Sequence, residues 1–202
     1  KHGATPVYVA AKNGHVEVVR LLAELGANVE TPANDGATPV YIAAQEGHAE
    51  VVRLLAEFGA NVETPRDSGA TPVYFAAQEG HAEVVRLLAE VGANVETPGY
   101  DGATPVFIAA QEGRTKVVKV LAKLGANLKT PSDDGTTPVM IAVEKGHDEV
   151  ARLLTQLGAG ETEQEAAERE EQLLKELEDL EVRIQNRPSC VEPTWRSSSH
   201  PA

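Results

Sequence analysis

The sequence predicts an all-α solenoid of stacked helix-turn-helix units, and three observations lead to this fold class. The tetrapeptide Gly-Ala-Thr-Pro begins at Gly3, Gly36, Gly69 and Gly102, and Gly-Thr-Thr-Pro begins at Gly135, so every step is 33 residues. Apolar residues within each unit follow helical spacing. Only 4% of the residues are aromatic, so the core must be built from Ala, Val and Leu, as in closely packed small helices.

The second unit shows how each element is predicted. Thr38 and Pro39 open a first helix, because Thr caps a helix N-terminus and Pro at the first position gives up no needed N–H. This helix ends at Gly47, which can take the left-handed conformation. A second, bulkier helix starts near His48 and ends at Gly59, and an extended arm with a tight turn follows. We call this arm and turn the finger. Because one unit cannot bury both of its faces, neighbouring units must supply the rest of its core, with the Ala-rich first helices on the inside of the curve.

The sequence divides into three regions. The first is the repeat array, residues 1–160, with predicted units 1–35, 36–68, 69–101, 102–134 and 135–160. Residues 161–186 are predicted to form an acidic amphipathic helix and possible short coiled coil, and the Pro- and Ser-rich residues 187–202 are expected to be disordered. Since Lys1 opens the chain within a repeat, we expect the sequence to be a piece of a longer polypeptide.

A second motif recurs once in every unit. Thr-Pro-Val-Tyr-x-Ala occurs three times, followed by Thr-Pro-Val-Phe-Ile-Ala and Thr-Pro-Val-Met-Ile-Ala, and segments such as Gly-His-x-Glu-Val-Val and Leu-Leu-x-x-x-Gly-Ala-Asn are also repeated. In these motifs the units resemble the ankyrin repeat family. In one systematic departure, the family's His in the first helix is here Tyr8, Tyr41, Tyr74, Phe107 or Met140. The resemblance implies a module that binds other proteins through its finger tips and its concave inner-helix face.

The finger tips are the first predicted binding region, because they vary while their surroundings are nearly copied. This variation is explained equally well by tuning for a partner and by relaxed constraint on exposed turns. Tyr100 is the best single candidate, since an exposed tyrosine offers contact area at low entropy cost. The predicted tip residues are Asn34, Asp35, Arg66, Asp67, Tyr100, Asp101, Asp133 and Asp134.

A stripe along the first helices is the second predicted region. Ala37, Tyr41 and Gln45 are four residues apart and share one helix face. Their repetition predicts either an aromatic, acidic groove for a peptide bearing Lys or Arg, or a column of rings that stack between units and are buried. The candidate residues are Tyr41, Gln45, Glu46, Tyr74, Gln78, Glu79, Gln111 and Glu112, in one column with Tyr8, Phe107 and Met140.

The charge distribution limits the class of partner. A formal net charge of -13 argues against nucleic acid as the main partner. The fourth unit breaks the acidic pattern and predicts a basic patch on the convex side, either solvated or bound to a partner. Its basic residues are Arg114, Lys116, Lys119, Lys123 and Lys129.

Catalytic, cofactor and metal sites are not predicted. His15, His48, His81 and His147 recur at one position, but packed helices lie about 8–10 Å apart whereas zinc–nitrogen bonds are about 2 Å. A general acid and base need different environments, which near-identical repeats do not offer. The histidines are instead expected to help open the second helices, and we predict that the chain is not an enzyme.

The predicted C-terminal helix leaves the oligomeric state open. Its apolar residues have heptad-like spacing, so it could dimerise weakly, continue into a longer coil or fold back on the fifth unit near the lysines of the fourth. The single cysteine, Cys190, favours a reducing, cytoplasmic location, and no segment is apolar enough for a membrane span. We therefore predict an adaptor or scaffold that binds a protein or peptide, with a basic one among the candidates, as a monomer or weak dimer. The alternatives are a structural spacer whose helix dimerises and the targeting region of a larger enzyme or channel.

Overall fold

The computed structural model describes residues 3–67 and 69–159, and this part of the chain contains ten α-helices in five pairs and no strand. The first helix of each pair is the inner helix: α1 Pro6–Lys12, α3 Pro39–Gln45, α5 Pro72–Glu79, α7 Pro105–Gln111 and α9 Pro138–Glu144. The second is the outer helix: α2 Val16–Glu24, α4 Ala49–Glu57, α6 Ala82–Glu90, α8 Thr115–Lys123 and α10 Asp148–Leu154. A five-residue π-helical turn, Thr155–Ala159, follows α10. The predicted all-α solenoid is confirmed.

Each inner helix begins as its sequence predicts. The Thr38 hydroxyl accepts a hydrogen bond of 3.2 Å from the Tyr41 N–H, and Pro39 occupies the first helical position. The equivalent threonine caps all five inner helices in the same way. A cap of this kind stabilises a helix by about 1 kcal/mol, which matters for helices of only seven or eight residues.

The histidines have a different role from the one predicted. His48 lies at the N-terminus of α4, but its side chain does not cap that helix. Its Nε2 lies 3.0 Å from the carbonyl oxygen of Lys12, in the preceding pair, and His81 contacts Gln45 in the same way. Gly14 leaves room for the His48 ring, because a Cβ at Gly14 would lie 2.7 Å from it. The repeated histidine therefore joins successive pairs.

The pairs stack in chain order around one continuous apolar core. Each inner helix packs against the next inner helix and each outer helix against the next outer helix, and the inner helices pack more closely. This difference makes the inner-helix side the concave one. Leu55, Leu88 and Leu121 are fully buried at equivalent positions of successive outer helices. Burial of one such side chain contributes roughly 1.5–3 kcal/mol.

The predicted acidic helix, residues 161–186, and the predicted disordered tail, residues 187–202, lie outside the described residues. The predictions of a short coiled coil, of a weak dimer and of docking on the fifth unit therefore stay predictions.

Candidate functional site

The fingers are tight hairpins that touch one another. The Arg66 N–H donates to the carbonyl of Ala70, and the Gly69 N–H donates back to that of Arg66. The chain reverses at Gly69, whose φ of 75° favours glycine. Backbone hydrogen bonds join the first tip to the second, from the Asp67 N–H to the Asp35 carbonyl over 3.4 Å, and the third to the fourth, from the Asp133 N–H to the Asp101 carbonyl over 2.9 Å. Neighbouring tips are therefore held together in pairs.

The predicted tip residues differ in what they offer to a partner. Asn34, Asp67, Tyr100, Asp101, Asp133 and Asp134 are exposed. Tyr100 lies against Gly69 of the preceding finger and still exposes 78% of its surface. Asp35 and Arg66 are half-buried and pair with each other, with 2.6 Å between Arg66 Nη2 and Asp35 Oδ2. These two charges therefore offer less to a partner than the sequence suggested.

The aromatic column is buried in the middle of the array. Tyr41 and Tyr74 expose only 1% and 9% of their surface, and Phe107 is also buried. Phe75 packs between neighbouring units, with ring centroids 5.0 Å from Tyr41 and 5.6 Å from Tyr74. The interpretation of Tyr41 and Tyr74 as an exposed contact surface is therefore wrong, because each ring fills the space between adjacent inner helices.

Burial also changes the chemistry of these phenols. The Tyr41 hydroxyl is buried, and the Arg66 guanidinium lies beside the ring, 5.9 Å from its centroid. Burial raises the pKa of Tyr41 to about 12, and the neighbouring Arg66 offsets part of that rise. The pKa of Tyr74 is likewise about 12, raised first by burial and then by the charges of Asp101 and Glu112. The Tyr74 ring also lies against Gly99 of the third finger.

The polar ends of the inner helices remain accessible. Gln45, Gln78, Gln111 and Glu112 are half-buried, and Glu46 and Glu79 are exposed. Within the described residues, none of these three glutamates forms a salt bridge. Glu112 accepts a hydrogen bond of 3.2 Å from the Gln111 amide, and the three carboxylates therefore have no cation bound to them within the described residues.

Four of the predicted residues meet in one groove on the concave side. The groove encloses about 350 Å³ between the fourth and fifth units, with Phe107 and Ile141 among its lining residues. Its acidic residues are Asp101, Asp133, Asp134 and Glu144, and Gln111 also lines it. Glu144 pairs with the neighbouring Lys145 over 3.0 Å, so a basic partner would compete with that lysine. The Asp134 carboxylate accepts from the Thr136 N–H and the Ser132 hydroxyl, and these bonds lower its pKa. Asp134 thus shapes the turn, whereas Asp133 makes no such bond within the described residues.

Two family models cover most of the chain. A model of three ankyrin repeats matches residues 27–98 and 91–165, and a model of one ankyrin repeat matches residues 2–34. The chain belongs to the ankyrin repeat family. No curated protein matches it. Ankyrin repeats are generally protein–protein interaction modules and are typically non-enzymatic.

Sequence reasoning missed a ladder of glutamates that joins the fingers of this ankyrin array. Glu30 accepts a hydrogen bond of 2.7 Å from the Asn61 N–H of the next unit, and Glu96 does the same for Asn127. Glu63 makes the matching bond to Asn94. The signal was the recurrence of Glu before each Thr-Pro of the first three fingers. Lys129 replaces this glutamate in the fourth.

The basic patch of the fourth ankyrin repeat is smaller than predicted. Lys116, Lys119 and Lys123 are exposed on α8 and form no salt bridge with a described residue. Arg114 is not part of the patch, because its Nε donates to the Gln78 carbonyl over 2.8 Å, where other repeats use histidine. Lys129 is half-buried in the following finger and is also outside α8.

In the described ranges, no three side chains of His, Cys, Asp or Glu are grouped so that they could hold a metal ion. None of the helices described here has the length and apolar character that crossing a bilayer requires.

Proposed function

We propose that this ankyrin array is an adaptor or scaffold module whose partner is a protein segment bearing Lys or Arg, bound along the finger tips and the concave face. The observation that carries the proposal is the groove between the fourth and fifth repeats. There Asp101, Asp133 and Glu144 line the same groove as the apolar side chains of Phe107 and Ile141. A long basic side chain fits this arrangement, because its methylene stem can lie on these apolar side chains while its charge meets the carboxylates.

The acidic groups that extend along the array support a partner of some length. Each exposed ion pair contributes only about 0.2–1 kcal/mol, so one carboxylate would bind weakly. Glu46, Glu79 and Glu112 recur at successive inner-helix ends, and Asp67 and Asp133 at finger tips. A segment that crosses several repeats would engage several of these charges at once. Exposed Tyr100 would add apolar contact beside them.

Two pairs of substitutions with the same change of charge test this proposal. Asp133→Asn with Glu144→Gln removes two charges from the groove, and Asp148→Asn with Glu149→Gln removes two from α10 on the outer side. Proteins captured from a cell lysate at moderate salt are compared for the unchanged chain and both variants. The groove pair should lose the captured protein and the outer pair should retain it.

The captured partner then provides a sharper measurement. A synthetic segment of that partner, with and without its Lys and Arg residues, is titrated by fluorescence anisotropy at increasing ionic strength. Affinity should fall with salt and with removal of the basic residues, since exposed charges are screened over about 10 Å at 0.1 M salt. Equal capture by both variants, or binding that does not respond to salt, would argue against a basic partner in the groove.

The other functions that the sequence allows depend on residues outside the described ranges. A spacer that dimerises through residues 161–186 would show twice the monomer mass in light scattering. A chain that remains monomeric at high concentration would contradict that role.

A further inference from the structure

A solvent-accessible apolar residue directly follows each of the three middle outer helices. We call these residues, Phe58, Val91 and Leu124, the apolar row. They expose 39%, 38% and 37% of their surface, although described repeats pack on both sides of each one. Their exposure is therefore a property of the repeats themselves. Since packed helices lie roughly 8–10 Å apart, the row extends over about 16–20 Å.

Helix capping does not require these apolar side chains. After α4, the Ala60 N–H donates to the Leu55 carbonyl over 3.0 Å, which closes a cap of the Schellman type. The apolar contact typical of this cap uses Ala60 and Leu55, and both are buried. Phe58 takes no part in it. A Cβ added at the glycine after each row residue would meet no described atom within 4 Å, so the space beside the row is open.

A groove borders the apolar row between the second and third repeats. It encloses about 520 Å³, and Val91 is among its lining residues. The lining also includes Glu57 at the end of α4 and Glu63 in the arm of the second finger. A matching groove of about 340 Å³ lies between the fourth and fifth repeats, with Lys129 at the position of Glu63. Charged residues of an outer helix and of a finger therefore accompany the row.

The charges beside the row reverse from the second repeat to the fourth. Glu57 ends α4 and Lys123 ends α8, and both are exposed and form no salt bridge with a described residue. In the finger arms, Glu63 corresponds to Lys129. Glu63 also accepts a hydrogen bond from the Asn94 N–H and remains exposed. The second repeat therefore offers two carboxylates where the fourth offers two ammonium groups.

The third repeat lies midway between these two. Its Glu90 pairs with Arg86 over 3.3 Å, and its half-buried Glu96 accepts a hydrogen bond from the Asn127 N–H. Arg53, Arg86 and Lys119 hold one equivalent position of the three repeats, so this position is basic throughout. The charge reversal is thus carried by the helix ends and finger arms of the second and fourth repeats.

This pattern is self-complementary. When a second copy faces the row in the opposite direction, a two-fold axis passes beside Val91 of both copies. Phe58 of one copy then lies opposite Leu124 of the other, and Glu57 lies opposite Lys123. The two rows have equal spacing, because they belong to the same repeats. A strongly acidic or strongly basic segment would match only one half of this surface, whereas a second copy matches both halves.

We propose that two copies of this chain pair antiparallel along the apolar row. This surface shares no residue with the acidic groove, so paired copies keep their concave faces for a partner segment. The dimer is transient, since the row offers three apolar side chains and the exposed ion pairs around it are individually weak.

Charge reversal at two equivalent positions tests the pairing. Sedimentation equilibrium of the unchanged chain should give a dimer with a dissociation constant in the micromolar to millimolar range. Glu57→Lys and Lys123→Glu should each weaken it about tenfold or more, because the two-fold axis repeats the altered contact. An equimolar mixture of the two variants should form the dimer again, since each supplies the charge that the other lacks.

Glu50→Lys is the matched control, because it makes the same change of charge near the other end of α4, where Glu50 is exposed and forms no salt bridge with a described residue. It should leave self-association unchanged, and thermal melts of dilute samples should show that all three variants fold. A chain that is monomeric at every concentration would overturn the proposal, as would a mixture that stays monomeric. Self-association that both reversals leave unchanged, as expected for a dimer through residues 161–186, would overturn it too.

Discussion

The first and second repeats carry nearly the same outer helix in different surroundings. The sequence of α2 is VEVVRLLAE and that of α4 is AEVVRLLAE. In α4, Val51, Leu54 and Leu55 are all buried, whereas the copies of Val51 and Leu54 in α2 are exposed. The comparison teaches that the pattern of a repeat specifies which residues can be buried, while the neighbouring repeat determines whether they are.

The largest expected effect comes from the same truncation at the two copies. Leu54→Ala should lower the free energy of unfolding by about 3 kcal/mol, because it leaves a cavity between repeats. Leu21→Ala should cost less than about 1 kcal/mol, since water already reaches that side chain. Urea unfolding followed by circular dichroism measures both. Equal losses of unfolding free energy in the two variants would mean that packing against a neighbouring repeat does not determine how much these leucines stabilise the fold.

The glutamate ladder is expected to contribute less. Glu63→Ala removes the carboxylate that accepts from the Asn94 N–H, and should cost about 1 kcal/mol at this exposed position. Glu57→Ala is the control, because Glu57 is exposed on α4 and forms no salt bridge with a described residue. The two variants are compared by the same urea titration. If Glu57→Ala lowers the free energy of unfolding as much as Glu63→Ala does, the glutamate ladder does not stabilise the array.

Tyr41 and Tyr8 provide a third comparison between equivalent positions. Tyr41→Phe removes a buried hydroxyl that lies beside Arg66, and should change the free energy of unfolding by less than about 1 kcal/mol. Tyr8→Phe, at a half-buried ring, should change the free energy of unfolding even less. A larger loss in the Tyr41 variant would show that its hydroxyl makes a strong hydrogen bond to Arg66.

Alkaline pH acts on the same buried phenols. The pKa values of Tyr41 and Tyr74 are raised from 10.0 to about 12, so the folded state holds these protons more tightly than the unfolded state. Their contribution to stability is complete below pH 10 and is lost as the pH rises towards 12. The melting temperature should fall as the pH rises across this range. A variant with both residues changed to Phe should show a smaller fall in melting temperature.

The smallest effect belongs to the fingers. Hydrogen bonds from Thr136 and Ser132 lower the pKa of Asp134 below 3.8. The charged form is therefore favoured in the folded state, and its contribution, present above pH 3.8, is lost as the pH falls through the lower folded value. A proton NMR titration should find Asp134 still ionised when most exposed carboxylates have been protonated. If Asp134 instead titrates with the exposed carboxylates, its hydrogen bonds from Thr136 and Ser132 are not formed in solution.

The sequence was a good guide where structure is local. Thr38 and Pro39 start the inner helix where predicted, and Gly47 ends it, because caps and left-handed glycines act over three or four residues. It was a poor guide for groups that act between repeats. The contact from the His48 ring to Lys12, the bond from Glu30 to Asn61 and the pairing of Arg66 with Asp35 each join residues more than 30 positions apart.

The candidate site divides in the same way. Asp101, Gln111, Asp133 and Asp134 were predicted from their places in the finger and the inner helix, and they line one groove. Glu144 was missed as a groove residue, because its place there depends on how the fifth repeat stacks on the fourth. Helical spacing alone allows two interpretations of Tyr41 and Tyr74, an exposed contact surface and a buried column of rings. The neighbouring helix determines which of the two is right.

By itself the sequence determined the period, the helix boundaries and the row of finger tips, because these follow from short-range hydrogen bonding and backbone preference repeated five times. Only the tertiary structure decided which copies of each apolar residue are buried, which charges are paired and where acidic side chains converge. The reason is that these properties depend on the surface that a neighbouring repeat presents. Nearly identical segments therefore have different exposure according to whether a described repeat packs on each of their faces.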